Sequence, residues 1–566
     1  MKILLCAVNA KYIHSNLAVR LLKAYACRNG GLPESQIAIA EYTTNHLRED
    51  VLADLYLQRP DVLLFSCYIW NWGFITGLLE DLRKVLPDTR IWAGGPEVSY
   101  DAEQILMDYP QISGVLIGEG EAVFRELSFA YLSGIHADLS QVKGICYRNG
   151  GQILRTKEQP LLSMDEIPFI YDTPSLRELE HKILYYETSR GCPFSCSYCL
   201  SSTEKKVRFR SLDKVLPELQ FFLDHQVPQV KFVDRTFNAD SGRSVQILKY
   251  LREHDNQITN FHFEVEGDLL TEQELDEITQ MRPGLIQLEI GVQSVNPDTI
   301  RSIRRVMDLN RLKLTVQKIH ACGNVHQHLD LIAGLPWEGY RSFAHSFNEV
   351  YAMEPAQLQL GFLKVLKGSP MKQEAEKYGI VYQQQAPYEV LYTRWLSYGE
   401  IIRLKKIEEM VERYYNSRQF TRTIRFLQQE FSSAFEMYEQ LAQFYEEGGY
   451  YVSRPSRIYR YELLLQFARR IHPEMEELYR ELLTFDLYLR ENVKSRPSFS
   501  PDLSSCKEQI RKLPAEKQWH VEVFHYPLHR DSPEEYLIPA ETPVFLAFDY
   551  DHRDPLDHNA SVIHLM

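Results

Sequence analysis

Short, nearly uninterrupted apolar runs alternate with amphipathic stretches in two separate series along this chain, and that alternation restricts the fold more than any other feature. In the first series the runs are residues 2–8, 62–67, 91–93 and 114–117. Strands covered on both faces, as in a parallel sheet, read this way. Between the first two, Leu17, Val19, Leu21, Leu22 and Tyr25 recur at helical spacing. Alternating strands and helices predict a doubly wound, Rossmann-like (flavodoxin-like) α/β domain over residues 1–140.

Residues 145–148 and 153–156 flank Asn149, Gly150 and Gly151, which predicts a β-hairpin. Pro160, Pro168 and Pro174 follow, so residues 141–180 read as a hairpin and a linker. The second series has strands expected at 184–188, 230–233, 261–265, 285–290, 328–332 and 358–363, with helices between them. One helix opens at Thr271 with Glu274 three places on, the spacing of a capping box. Six such units predict a TIM-type (β/α)6 barrel, complete or partial, over residues 181–400, with its chemistry at the C-terminal strand ends. Residues 401–566 read as a mainly helical C-terminal domain rich in Tyr and Phe, with helices at 404–413 and 434–447 and strands at 521–524 and 544–548. Its placement suggests a lid or a substrate-docking module.

The 566 residues exceed one hydrophobic core and point to roughly three to four domains. Hydrophobic content of 44% and charged content of 25% suit a soluble protein. A net charge of −14 weighs against nucleic-acid binding, which rests on clustered Lys and Arg. Residues 62–79 carry no charge and approach membrane-spanning length. They also hold Ser66, Asn71, Gly73, Thr76 and Gly77, so a strand, a loop and a helix start fit better. The apolar run 3–8 is too short for an export signal. A cytoplasmic protein without a membrane span is expected.

Three of the nine cysteines, Cys192, Cys196 and Cys199, crowd into eight positions directly after an expected strand. In a reducing compartment such crowding suggests metal or catalysis rather than disulfides. Three thiolates in one loop can hold three corners of an iron–sulfur cubane, where four are usual. The missing fourth ligand leaves one iron open to a substrate or cofactor. Zinc generally asks for two ligand pairs, and the distant Cys146, Cys322 and Cys506 do not supply a second one.

At these residues the chain resembles the radical S-adenosylmethionine (SAM) superfamily, whose loop spaces its cysteines in the same way and places an aromatic residue, here Tyr198, before the last. The lead-in Glu187-Thr188-Ser189-Arg190-Gly191 is similar to the family's first strand and loop. The resemblance implies a 4Fe-4S cluster whose open iron binds SAM and cleaves it to a 5′-deoxyadenosyl radical. Later strand ends agree. Residues 232–238 resemble the second-strand motif. Glu264 and Glu266 end the third strand two residues apart and share a side; Glu266 is the favoured cofactor contact. Gln293 and Ser294 close the fourth strand, and Gly334 lies in the fifth-strand motif that runs along the adenine. Tyr198, Glu264, Glu266, Gln293, Ser294 and Gly334 are therefore the expected SAM-binding residues.

The preceding α/β domain resembles the cobalamin (B12)-binding domain of one radical SAM subclass, in a branch with a C-terminal domain of unknown role. The resemblance rests on Ser66 and Cys67 after one strand, Gly94 and Gly95 after the next, and Gly118, Glu119 and Gly120 after a third. Glycines at strand ends let the backbone approach a macrocycle in the crevice where such sheets bind ligands. The mutase-type Asp-x-His-x-x-Gly is missing around His14, so cobalt is expected to lack a protein His ligand. The resemblance implies a methyltransferase acting on an unactivated carbon or a phosphinate phosphorus, fed by a flavodoxin or ferredoxin. Alternatives are a radical rearrangement or cyclisation without methyl transfer, and a non-catalytic cobalamin or iron–sulfur sensor. Methylthio transfer is disfavoured because no second cysteine triplet follows.

Overall fold

Strand β1 (Ile3–Asn9) is buried at every position, as a central strand covered on both faces must be. The computed structural model to which it belongs describes residues 1–134, 138–513, 519–530 and 532–565. With β2 (Ile37–Thr43), β3 (Val62–Ser66), β4 (Arg90–Gly94), β5 (Ile112–Leu116), β6 (Ile145–Asn149) and β7 (Gln152–Arg155), β1 forms a seven-stranded sheet. The strand order is β2-β1-β3-β4-β5-β6-β7. The first five strands pair in parallel, with Ile3 opposite both Ile37 and Val62. This is the flavodoxin-like order, whose ligand crevice lies where β1 and β3 diverge to opposite sides. The hairpin β6–β7, expected at these residues, extends this sheet antiparallel to β5. Two apolar layers cover its faces, one built around Leu63, Phe65 and Leu79, the other around Leu5, Trp92 and Phe124.

The second series comprises β8 (Leu184–Tyr186), the short ladder strands β9 (Ser189–Arg190) and β10 (Arg208–Phe209), β11 (Gln229–Phe232), β12 (Asn260–Val265), β13 (Ile286–Gln293), β14 (His326–Ala333) and β15 (Gln357–Phe362). Leaving aside the ladder, these six strands follow chain order in one sheet, that of a partial (β/α)6 barrel. The capping box at Thr271 is present, with Glu274 bonded back to it. A small hairpin of β16 (Val381–Tyr382) and β17 (Val390–Tyr392) follows.

The chain divides into two compact units. One holds Met1–Leu288, Asp298–Asp308 and Phe362–Arg394; the other holds Glu289–Pro297, Leu309–Gly361 and Trp395–Met566. In the second unit, helices such as Tyr398–Val411, Ala434–Glu447 and Glu476–Arg490 bury Tyr414, Tyr438, Tyr445 and Tyr488. It ends in an antiparallel sheet of β18 (His520–Phe524), β19 (Val544–Arg553) and β20 (Ala560–His564). Among the described residues no helix is long and apolar enough to cross a membrane. Residues 62–79 form β3, a turn and the start of the helix Trp72–Val85.

Candidate active site

The cysteine loop leaves the barrel's first strand through Thr188 and Ser189. Buried Asp234, just beyond β11, accepts hydrogen bonds from the Thr188 N–H at 2.7 Å and from the Ser189 hydroxyl at 2.9 Å. Gly191 follows at φ +92°, and a Cβ there would meet the Lys206 carbonyl at 2.5 Å, so only glycine fits. The Cys192 N–H donates to the Glu204 carbonyl at 3.1 Å. Ser197 donates to Ile303 O at 2.9 Å and accepts from Met371 N–H at 2.8 Å. Backbone bonds to three other segments thus hold the loop. Cys196 is buried, and Cys192 and Cys199 are half-buried. Among the described residues, no three His, Cys, Asp or Glu side chains converge as around a single ion. A cubane asks for something else, one thiol per iron, and three free thiols on a loop held by its backbone fit that donor set.

Glu266 lies just past β12, and its backbone exchanges two hydrogen bonds with the Asn238 side chain, at 2.9 and 3.0 Å. Its carboxylate pairs with Arg305 at 2.6 Å. Arg305 Nη1 lies 4.0 Å from Cys196 Sγ. Burial pushes both the Glu266 carboxyl and the Cys196 thiol up, and the guanidinium opposes both shifts. Arg305 therefore ties the end of the third strand to the cysteine loop. Glu264 is half-buried two residues before Glu266. Tyr198 sits half-buried in the loop, its phenol pushed up by burial.

In the second unit, Gln293 ends β13 at φ +69° and Gly334 follows β14 at φ +89°. The Ser294 hydroxyl is fully buried and donates to Glu338, which also accepts from Ser342 and Ser346 at 2.8 and 3.1 Å. This bonding engages the Ser294 side chain in holding the strand end.

The loops after β3, β4 and β5 hold the other candidate residues of the first unit. The Cys67 N–H donates to Gly94 O at 2.7 Å. Gly95 adopts φ +110°, and a Cβ there would lie 2.5 Å from the Cys67 carbonyl. Ser66 and Cys67 are buried. Gly118, at φ +76°, faces open space, whereas a Cβ on Gly120 would meet Leu22 at 2.8 Å. A left-handed glycine open to space beside tightly packed ones makes a cradle suited to the close approach of a flat macrocycle. His14 is turned elsewhere: its Nδ1 lies 2.6 Å from the Tyr185 hydroxyl.

Two bridges of charge join these loops to the barrel segments of the same unit. Glu119 pairs with Arg208 and lies 3.4 Å from Arg190; Glu121 pairs with Arg190, which also holds Glu187 at 2.9 Å. Burial pushes the Glu121 carboxyl up, but Arg190 overrides it and holds it below the usual range. On the other side, fully buried Glu97 pairs with Lys367 at 3.0 Å and accepts from the Tyr388 hydroxyl. Sequence reasoning missed Arg208, Arg305, Lys367 and Tyr388, and gave no role to Arg190 or Asn238.

The fold and these loops define the class: a B12-binding domain set ahead of a radical SAM barrel. Residues 3–128 match the model described as B12 binding domain, residues 186–350 that of the radical SAM superfamily, and residues 376–542 a family described only as a protein of unknown function, DUF4080. The chain thus carries a B12-binding domain followed by a radical SAM domain. Those two domains define its cofactors as a 4Fe-4S cluster, SAM and cobalamin. It is similar to the cobalamin-dependent radical SAM methyltransferase TokK of Streptomyces tokunonensis, 27% identical over 344 residues, covering 57% of this chain and 50% of the relative. The chain spans about half the length of the curated relatives it matches. Among solved structures it resembles the methyltransferase TsrM of Kitasatospora setae (TM-score 0.54, 15% identity, 68% of this chain and 81% of that one). It also resembles the cobalamin-dependent SAM radical enzyme OxsB (TM-score 0.59, 15% identity, 85% and 78%). At that identity the two structures establish the fold alone.

Proposed function

We propose that this chain is a cobalamin-dependent radical SAM methyltransferase acting on an unactivated carbon or a phosphinate phosphorus. The observation that carries the reading is that the loops after β3, β4 and β5 and the cysteine loop lie in one compact unit, where Arg190, just ahead of the cysteines, pairs with buried Glu121 after β5. Cys192, Cys196 and Cys199 would hold the cluster. In the first unit Tyr198, Glu264 and Glu266 would bind SAM, and Ser66, Cys67, Gly94, Gly95, Gly118, Glu119 and Gly120 would line the cobalamin site; in the second unit Gln293, Ser294 and Gly334 are the candidate SAM residues. When bound, the three groups supply a 5′-deoxyadenosyl radical and a transferable methyl group.

The chain's own residues position and shield. Arg305 aims the Glu266 carboxylate by pairing with it and opposes the burial that pushes this carboxyl up. Asn238 fixes the backbone on which Glu266 sits. Ser294 and Glu338 anchor the fourth strand end. Glu119, bonded to Arg208, acts on the cobalamin side through loop position rather than direct ligation. The crowding of Cys192, Cys196 and Cys199 suits metal binding in a reducing compartment such as the cytoplasm, with a flavodoxin or ferredoxin as electron donor.

The test is anaerobic. Protein reconstituted with iron, sulfide and cobalamin is given reductant and SAM, and products are followed by mass spectrometry. Both 5′-deoxyadenosine and S-adenosylhomocysteine are expected. 5′-Deoxyadenosine without S-adenosylhomocysteine, from protein holding cobalamin, would contradict methyl transfer and leave a radical rearrangement.

A further inference from the structure

Arg190 and Arg208 stand opposite each other on the β9–β10 ladder. Their guanidinium groups reach the two carboxylates that flank Gly120, Glu119 and Glu121. Arg190 is also covalently next to Gly191, which precedes Cys192. The backbone there has little freedom: Gly191 packs against Lys206, Cys192 donates to Glu204, and the Glu204 side chain pairs with Arg208 at 2.9 Å. A shift of Arg190 is therefore passed to Cys192 on one side and to residues 118–121 on the other. The charges are largely shielded, with Arg190 14% and Glu121 6% exposed in their side chains. Separating such a pair leaves a buried charge uncompensated, so the two loops favour one shared arrangement over independent ones.

We infer that this arginine bridge couples the two cofactor sites, so that assembling the cluster on Cys192, Cys196 and Cys199 tightens cobalamin binding at residues 118–121 and cobalamin in turn stabilises the cluster loop. The inference rests on the cobalamin and cluster reading above. Ligation of the three thiols restricts the loop that begins at Gly191, which fixes Arg190 and, through Glu121, the loop after β5. By reciprocity the factor is the same in both directions. Arg190 is a positioning residue here, since its side chain bonds to carboxylates of the chain.

Cobalamin affinity of the full-length protein tests this. Hydroxocobalamin is titrated anaerobically, by quenching of intrinsic fluorescence, into cluster-free and cluster-reconstituted protein. The expected result is a Kd at least about fivefold lower with the cluster. In the double variant Glu119→Gln/Glu121→Gln the ratio of the two Kd values should fall to about one. Glu121→Gln alone, nearly isosteric, should reduce it part-way and serves where the double variant does not fold. A purely structural role would shift both Kd values together and leave their ratio unchanged. Equal Kd values in the two wild-type forms, or a ratio preserved in the variants, would overturn the coupling. Failure of both forms to bind cobalamin would instead overturn the reading on which it rests.

Discussion

Arg305 pairs with Glu266 at 2.6 Å while its other terminal nitrogen lies 4.0 Å from Cys196 Sγ. One guanidinium thus serves a strand-end carboxylate and a cysteine of the Cys192–Cys199 loop together. Arg305→Gln removes the counter-charge and leaves Glu266 buried and unpaired, a change that costs about 3–5 kcal/mol. We expect the variant to lose iron faster than wild type when the reconstituted protein is challenged with a chelator. Arg305→Lys keeps the charge but not the fork, and should fall between. Equal iron loss in all three would show that Arg305 does not support the cluster loop.

Gly95 and Gly118 both have left-handed backbone but differ in their surroundings. Gly95→Ala drives a methyl into the Cys67 carbonyl, so the loop must move and thermal stability should drop. Gly118→Ala meets open space, and its strain is only about 1–2 kcal/mol. If residues 118–120 cradle cobalamin, Gly118→Ala should weaken cobalamin binding clearly while leaving the far-ultraviolet circular dichroism unchanged. Unaltered cobalamin affinity in this variant would remove residue 118 from the site.

Lys367 is the counter-charge of Glu97, whose residue is 2% exposed. Lys367→Met should cost about 3–5 kcal/mol, seen as faster hydrogen exchange in residues 94–99. Adding Glu97→Gln should recover much of that protection, because the stranded charge is then gone. A double variant no better protected than Lys367→Met would show that the pair does not carry the effect.

Asp486 is expected to give the second unit's helical core a dependence on pH. Burial raises its carboxyl from 3.8 to about 6, against hydrogen bonds from the Arg422 and Thr423 N–H groups at 3.0 and 2.9 Å. The folded state holds this proton more tightly than the unfolded state does. Its stabilising contribution is therefore complete below pH 3.8 and is lost as pH rises to about 6. A shift of that size corresponds to about 3 kcal/mol. After correction for intrinsic rates, amides of the helix Thr421–Leu427 should become easier to open across that window. In Asp486→Asn the dependence should weaken, leaving the part carried by Glu481, whose carboxyl burial also pushes up; the same slope in both proteins would contradict the assignment.

Much of this architecture was legible because it is local. Continuous apolar runs mark β1, β3, β4 and β5, and the cysteine spacing marks the loop. Strand β2 escaped because its burial alternates in threes, with Glu41 and Tyr42 half-buried at a sheet edge. The hairpin β6–β7 was visible as a hairpin, but its docking on β5 leaves no periodic trace. The charged partners were illegible for the same reason. Arg190 meets Glu121 across 69 residues and Arg208 meets Glu119 across 89, and a single arginine carries no sign of its distant carboxylate. Arg305 follows a short helix with an ordinary surface pattern, so its burial beside Cys196 emerges only from the fold.

The central claim is that one chain holds a cluster and a corrin together. The most direct measurement is the iron, sulfide and corrin content of a single anaerobically reconstituted preparation, alongside Cys192→Ala/Cys196→Ala/Cys199→Ala. The account predicts about four irons and about one corrin per wild-type chain, and loss of the iron from the triple variant with its fold intact. A wild-type protein that takes its full iron but no corrin, or a triple variant that keeps its iron, would contradict it.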